Sequence, residues 1–142
     1  MTDSLYWLAL TALSTAFMAL PYVMERISRV GLIGALGYSS DSHLGGFDQP
    51  TEKPAAWAKR AHAAHRNAIE SLPIIATLVL IAHAANITGG NTIALATMTY
   101  FIARILHYVV YALGVPVLRT LAFFVAWAAI LLIGYEVVIA AV

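Results

Sequence analysis

Four long apolar runs constrain this chain more than anything else in it. They lie at about residues 5–24, 54–85, 92–113 and 117–138. A bilayer's hydrocarbon core is about 30 Å thick, and a helix needs about 20 apolar residues to cross it. Composition agrees, with 61% hydrophobic residues, 11% charged and a mean hydropathy of +0.82. Soluble domains carry about 25% charged residues. The expected fold is an all-α integral membrane protein, a four-transmembrane-helix bundle in which all 142 residues form a single domain.

Net charge is +1, so there is no basic footprint for nucleic acid. Cysteine is absent, which excludes disulfides, thiolate nucleophiles and cysteine metal sites. The residues before the first run, MTDS, contain an acid and no base, and no clear small-x-small cleavage pattern follows it. That run reads as a retained helix and not as a signal peptide.

Tyr6 and Trp7 open the first span, where interfacial aromatics belong, and Pro21 can kink its far end. Glu25, Arg26 and Arg29 follow, and then a Gly-, Ser- and Asp-rich connection over residues 30–53. Pro54 suits a helix's first turn, with Thr51 or Glu52 as a cap. From there to Ala85 only Pro73 interrupts the helical pattern. A helix over 54–85 would be about 48 Å long, more than the bilayer's thickness, so PAAWAKRAHAAHR should emerge and LPIIATLVLIAHAA should cross. Pro73 removes a hydrogen bond to the Ile69 carbonyl and should bend this helix. NITGGN (86–91) and Gly114–Pro116 read as turns.

The basic residues set an expected orientation. Arg26, Arg29, Lys53, Lys59, Arg60 and Arg66 lie in or beside the first connection, and Arg104 and Arg119 flank the third. The positive-inside rule places the long loop and the Gly114 turn in the cytoplasm and both termini on the opposite side.

This orientation brings the polar residues of three spans to one level. Arg66, Asn67 and Glu70 lie at the cytoplasmic end of span two. Arg104, His107, Tyr108 and Tyr111 share one face of span three, at i, i+3, i+4 and i+7, and Arg119 opens span four. Snorkelling to the interface accounts for an arginine near a helix end. It does not account for Arg104, which lies about 15 Å along the axis from the turn. A charge at that depth costs at least about 2.5 kcal/mol and usually faces a bundle interior or a polar cavity. Glu70 can pair with Arg66 or with Arg104. Either pairing leaves Asn67, His107, Tyr111 and an excess of positive charge, as expected of a site for a small anion with carboxylates. His62 and His65 stand at i, i+3 but lack further suitable ligands, so no metal site is expected. His83, Tyr100, Phe101 and Glu136 read as packing or interface residues.

Two stretches resemble the MAPEG family, the membrane-associated proteins in eicosanoid and glutathione metabolism. HRNAIESLP (65–73) is similar to the family's R-N-x-x-E-x-x-P signature on helix two. ARILHYVVYALGVPVLRT (103–120) is similar to its R-x-x-H-x-x-x-Y face of helix three with an arginine opening helix four. The resemblance covers nearly the whole chain. It implies a homotrimer with glutathione as co-substrate in a cleft between protomers near the cytoplasmic side. It implies that Arg66, Asn67, Glu70, Arg104, His107 and Tyr111 line that cleft, with Arg26 or Arg29 added from helix one. By the same resemblance Arg119 is the catalytic residue that favours the thiolate, and a lipophilic electrophile arrives from the membrane lipids. One position departs: where several family enzymes carry a tyrosine four residues after this arginine, the chain has Phe123. The expected function is a glutathione-dependent transferase or peroxidase. The alternative is a non-catalytic MAPEG-like scaffold that binds lipid or glutathione. A small transporter or channel subunit fits poorly, because the polar residues occupy only one side of the bilayer.

Overall fold

The computed structural model describes residues 2–35, 53–87 and 89–140, which form helices and turns with no strand among them. Four helical segments are long and apolar enough to cross a membrane. The chain is thus an integral multi-pass membrane protein of the helical-bundle type.

The first segment is α1 (Asp3–Phe17) followed by α2 (Leu20–Ala35). Proline has no N–H, so Pro21 cannot donate to the Phe17 carbonyl one turn back, and α1 ends there. The Ala19 N–H tightens onto Ala16 at 3.4 Å before the α pattern resumes with the Val23 N–H on the Ala19 carbonyl at 3.1 Å. The Tyr108 hydroxyl, from the third segment, donates to the Met18 carbonyl at 2.9 Å and holds this break from outside. Buried Thr11 and Thr15 bond the carbonyls of Trp7 and Thr11 one turn back, each at 2.8 Å. A hydroxyl satisfied on its own helix needs no partner elsewhere in apolar surroundings.

The helix does not stop at Met24 as the apolar run does. Glu25, Arg26 and Arg29 are residues of α2, which reaches Ala35 with one non-helical residue, Gly31 (φ 75°, ψ 167°). Arg29 bonds Glu25 one turn back at 3.2 Å, which supports this charged stretch as helix.

The third element, α3 (Ala56–Ala84), runs through Pro73 without interruption. Thr51 and Glu52, the expected caps, lie outside the described residues. Glu25 does this work from another helix: its Oε1 accepts the Ala55 N–H at 3.0 Å, at the end of α3 where N–H groups lack partners. The first half of α3, the expected emergent segment, packs against other helices. Ala58 and Ala61 are buried against Ala19, Tyr22, Tyr108 and Ala112, because alanines let helix backbones approach closely. Arg60 and His62 of that segment are partly buried, and the His62 ring stands edge-on to Tyr22 at 5.1 Å.

The remaining helices are α4 (Thr92–Leu113) and α5 (Pro116–Ile139). Helix α4 is the centre of the bundle and packs against α1, α3 and α5. Ile75, Val79, Tyr100, Ala103, Ile130 and Ile133 form most of the shared core, with Leu8 added from α1. Both α3 and α4 end in a left-handed residue. Asn86 (φ 54°) follows α3, and its Asn86→His83 and Ile87→Ala82 bonds satisfy the last carbonyls. Gly114 (φ 81°) does the same for α4.

Candidate functional site

Residues Tyr100, Arg104, His107 and Tyr111 follow one another down the inner face of α4 at helical spacing. Arg104 is 4% exposed. Its Nη2 crosses to α3 and donates to the Asn67 carbonyl and to Ser71 Oγ, the latter at 2.8 Å. Ser71 Oγ also lies within donating distance of the α3 carbonyls of Asn67 (3.0 Å) and Ala68 (3.2 Å). The Tyr100 hydroxyl lies 2.8 Å from Ser71 Oγ, a pair in which either oxygen can donate. The Arg104 guanidinium also lies over the Tyr100 ring at 5.7 Å. The Asn67 carbonyl, Ser71 and Tyr100 thus hold the Arg104 charge between α3 and α4 with no carboxylate among them.

The network is incomplete. Arg104 Nε and Asn67 Oδ1 are buried and have no hydrogen-bond partner. A donor and an acceptor left open on the same pair of residues cost free energy unless something polar meets them.

Further along α4, His107 is buried and stands edge-on to Tyr111 at 5.5 Å, with the Phe123 ring of α5 at 6.2 Å. The Arg119 guanidinium covers the Tyr111 ring at 4.5 Å, a cation–π contact that holds it against the end of α4. The expected residues of α4 and α5 are thus brought together, and Asn67 joins them through Arg104.

Arg66 and Glu70 are not brought to this cluster. They face outward from α3, 4.0 Å apart, with side chains 66% and 65% exposed. Of the two pairings open to Glu70 from sequence, the one with Arg66 forms, and it is at the limit of an ion pair. Arg29 lies on Glu25, and Arg26 is partly buried on the next position of α2. Among the described residues no three His, Asp or Glu side chains are grouped as metal ligands. His65 is instead buried, with Nδ1 2.7 Å from the Tyr22 hydroxyl.

Sequence reasoning missed Ser71, Tyr100, Glu25 and Arg60. The first two carried a signal: Ser71 is one turn beyond Asn67, and Tyr100 one turn before Arg104 on the same face. The contacts of Glu25 with Ala55 and of Arg60 with Ala112 carried none, because these partners are backbone atoms far along the chain.

A four-segment membrane bundle with a buried arginine network between its second and third spans defines the class of protein. Within that class, the sequence model of the MAPEG family matches residues 4–139, and the chain belongs to that family. No curated protein matches the chain.

Proposed function

We propose that this protein is a glutathione-dependent membrane transferase or peroxidase, acting on a lipophilic electrophile in a cleft between protomers of a homotrimer. The observation that carries the reading is the open pair at Arg104 Nε and Asn67 Oδ1. A peptide with carboxylates and amides offers both the acceptor and the donor that these atoms lack. The outward Arg66–Glu70 pair supports an inter-subunit cleft, since a loosely paired arginine and glutamate on the bundle surface suit a carboxylate and an ammonium brought against that face by a neighbour. Glutathione supplies the nucleophilic thiol. Arg104, His107 and Tyr111 line its site, Arg66, Asn67 and Glu70 orient it, and Arg119 is the catalytic residue. A guanidinium beside a thiol stabilises thiolate over thiol by opposite charge. A helix-one arginine, Arg26 or Arg29, completes the site. The long loop and the Gly114 turn face the cytoplasm, with both termini opposite.

The test is glutathione binding and turnover by purified protein in detergent. Wild type should bind glutathione and conjugate a hydrophobic electrophile, and Arg119→Ala should lose about 10²–10³-fold in kcat, the usual effect of removing one group aimed at developing charge. No binding at millimolar glutathione sinks the proposal.

Phe123 favours a second reading. Its ring fills the position beside His107 where several family enzymes have a hydroxyl. A non-catalytic binding or scaffold protein would hold glutathione yet turn over none of a broad electrophile panel.

A further inference from the structure

Arg60 lies outside the cluster above, yet it holds the turn from which Arg119 starts. At the end of α4 the Gly114 N–H bonds the Tyr111 carbonyl and the Val115 N–H bonds the Val110 carbonyl, both at 3.0 Å. The Ala112 carbonyl is left over for a definite reason: its helical donor would be residue 116, which is proline. Arg60 Nε fills that gap at 3.0 Å, reaching across from α3. Its guanidinium lies close against Gly114, where an added Cβ would come within 3.2 Å of both Cζ and Nε. The chain then passes straight into α5, where the Arg119 N–H bonds the Val115 carbonyl at 3.1 Å and the side chain turns back over Tyr111.

Two guanidiniums therefore serve adjacent residues, Arg60 on Ala112 and Arg119 on Tyr111. A helix C-terminus carries about half a negative charge and attracts the nearest cation. With Arg60 in place that demand is met, and Arg119 stays across the ring. Without it, the carbonyl next to the ring that holds Arg119 is left open, and the Gly114 turn from which Arg119 starts loses its brace.

We propose that Arg60 is a positioning residue for Arg119: it occupies the Ala112 carbonyl, braces Gly114, and so keeps the Arg119 guanidinium on Tyr111 and available to a bound thiol. This rests on the reading of Arg119 as the group that serves the glutathione thiol.

The experiment uses the full-length protein with Arg60→Met, which keeps the apolar stem, Arg60→Gln, which keeps a donor without charge, and Arg60→Lys. Glutathione affinity, the pH midpoint of bound thiolate by ultraviolet absorbance, and kcat are measured together. Arg60→Met should bind glutathione within about threefold of wild type, while its thiol midpoint rises by about one pH unit, a tenfold loss of affinity for the charged form. Its kcat at neutral pH should fall about tenfold with little change in KM for glutathione, and Arg60→Lys should recover most of it. An unchanged thiol midpoint overturns the proposal, even where stability or KM falls. Should Arg60→Met fail to assemble, Arg60→Gln decides by the same criterion, with a smaller rise expected. A wild type that binds no glutathione sinks the underlying reading instead. The brace is then judged by hydrogen exchange at Gly114, Val115 and Arg119: about tenfold faster exchange in Arg60→Met supports it, and unchanged rates overturn it.

Discussion

Arg104 is the side chain that most needs explaining. It is buried, carries a full charge, and has only neutral partners: a backbone carbonyl, a serine and a tyrosine ring. Such an arrangement does little for folding, since a buried charge costs several kcal/mol in lost hydration and apolar residues of similar size often do as well or better. Arg104→Met should therefore leave thermal stability unchanged or raised, while glutathione affinity falls at least about tenfold, in keeping with a lost charged hydrogen bond. Thermal unfolding and a glutathione titration on the same preparation check this, and a collapse in stability with intact binding would make Arg104 structural. Its burial was legible in the sequence, because depth along a helix follows from residue counting. Its partners were not. Spacing placed Glu70 within reach of Arg104, but the outward rotation of Glu70 depends on which face of α3 packs inward, and the buried alanines decide that.

At the scale of the element, the first membrane segment shows how one missing N–H shapes a helix. Pro21 ends α1 at Phe17, and the break was foreseeable from proline chemistry. The continuation to Ala35 was not, because the charges of Glu25, Arg26 and Arg29 look like the end of an apolar run. They remain helical because Glu25 is held by both Arg29 and the Ala55 N–H. Glu25 thereby joins α2 to the start of α3 across the long connection. Glu25→Ala should cost about 1–2 kcal/mol, the usual effect of losing a helix-capping acceptor, with Glu25→Gln less harmful because it still accepts from Ala55. Thermal melts followed by helicity would show the order wild type, then Gln, then Ala; equal melts would mean the cap is not used.

At the scale of the whole molecule, one chain gathers Arg104, His107, Tyr111 and Arg119 but leaves Arg66 and Glu70 facing away. If the cleft is shared between protomers, subunits carrying Arg66→Ala and subunits carrying Arg104→Met should complement each other. Each homomer would bind glutathione weakly, and mixed assemblies would regain a fraction of full-affinity sites. Isothermal titration of co-expressed, doubly tagged protein measures that fraction, and its absence would place the whole site within one chain. Cross-linking should give a ladder ending at three subunits.

The sequence by itself determined that the chain has four helices able to cross a membrane, where proline and glycine end its helices, and that Arg104 would be a buried charge. These follow from hydrophobic length, the missing N–H of proline and the cost of buried charge, all properties of local sequence. Only the tertiary structure decided that Arg104 bonds α3 through Asn67 and Ser71, that Glu25 caps a helix thirty residues away, and that Arg60 completes the end of α4. Each of these depends on a backbone carbonyl or N–H brought near by another helix. Every residue type but proline carries the same backbone groups, so the pattern of side chains does not mark which backbone group of one helix another helix will bring within reach.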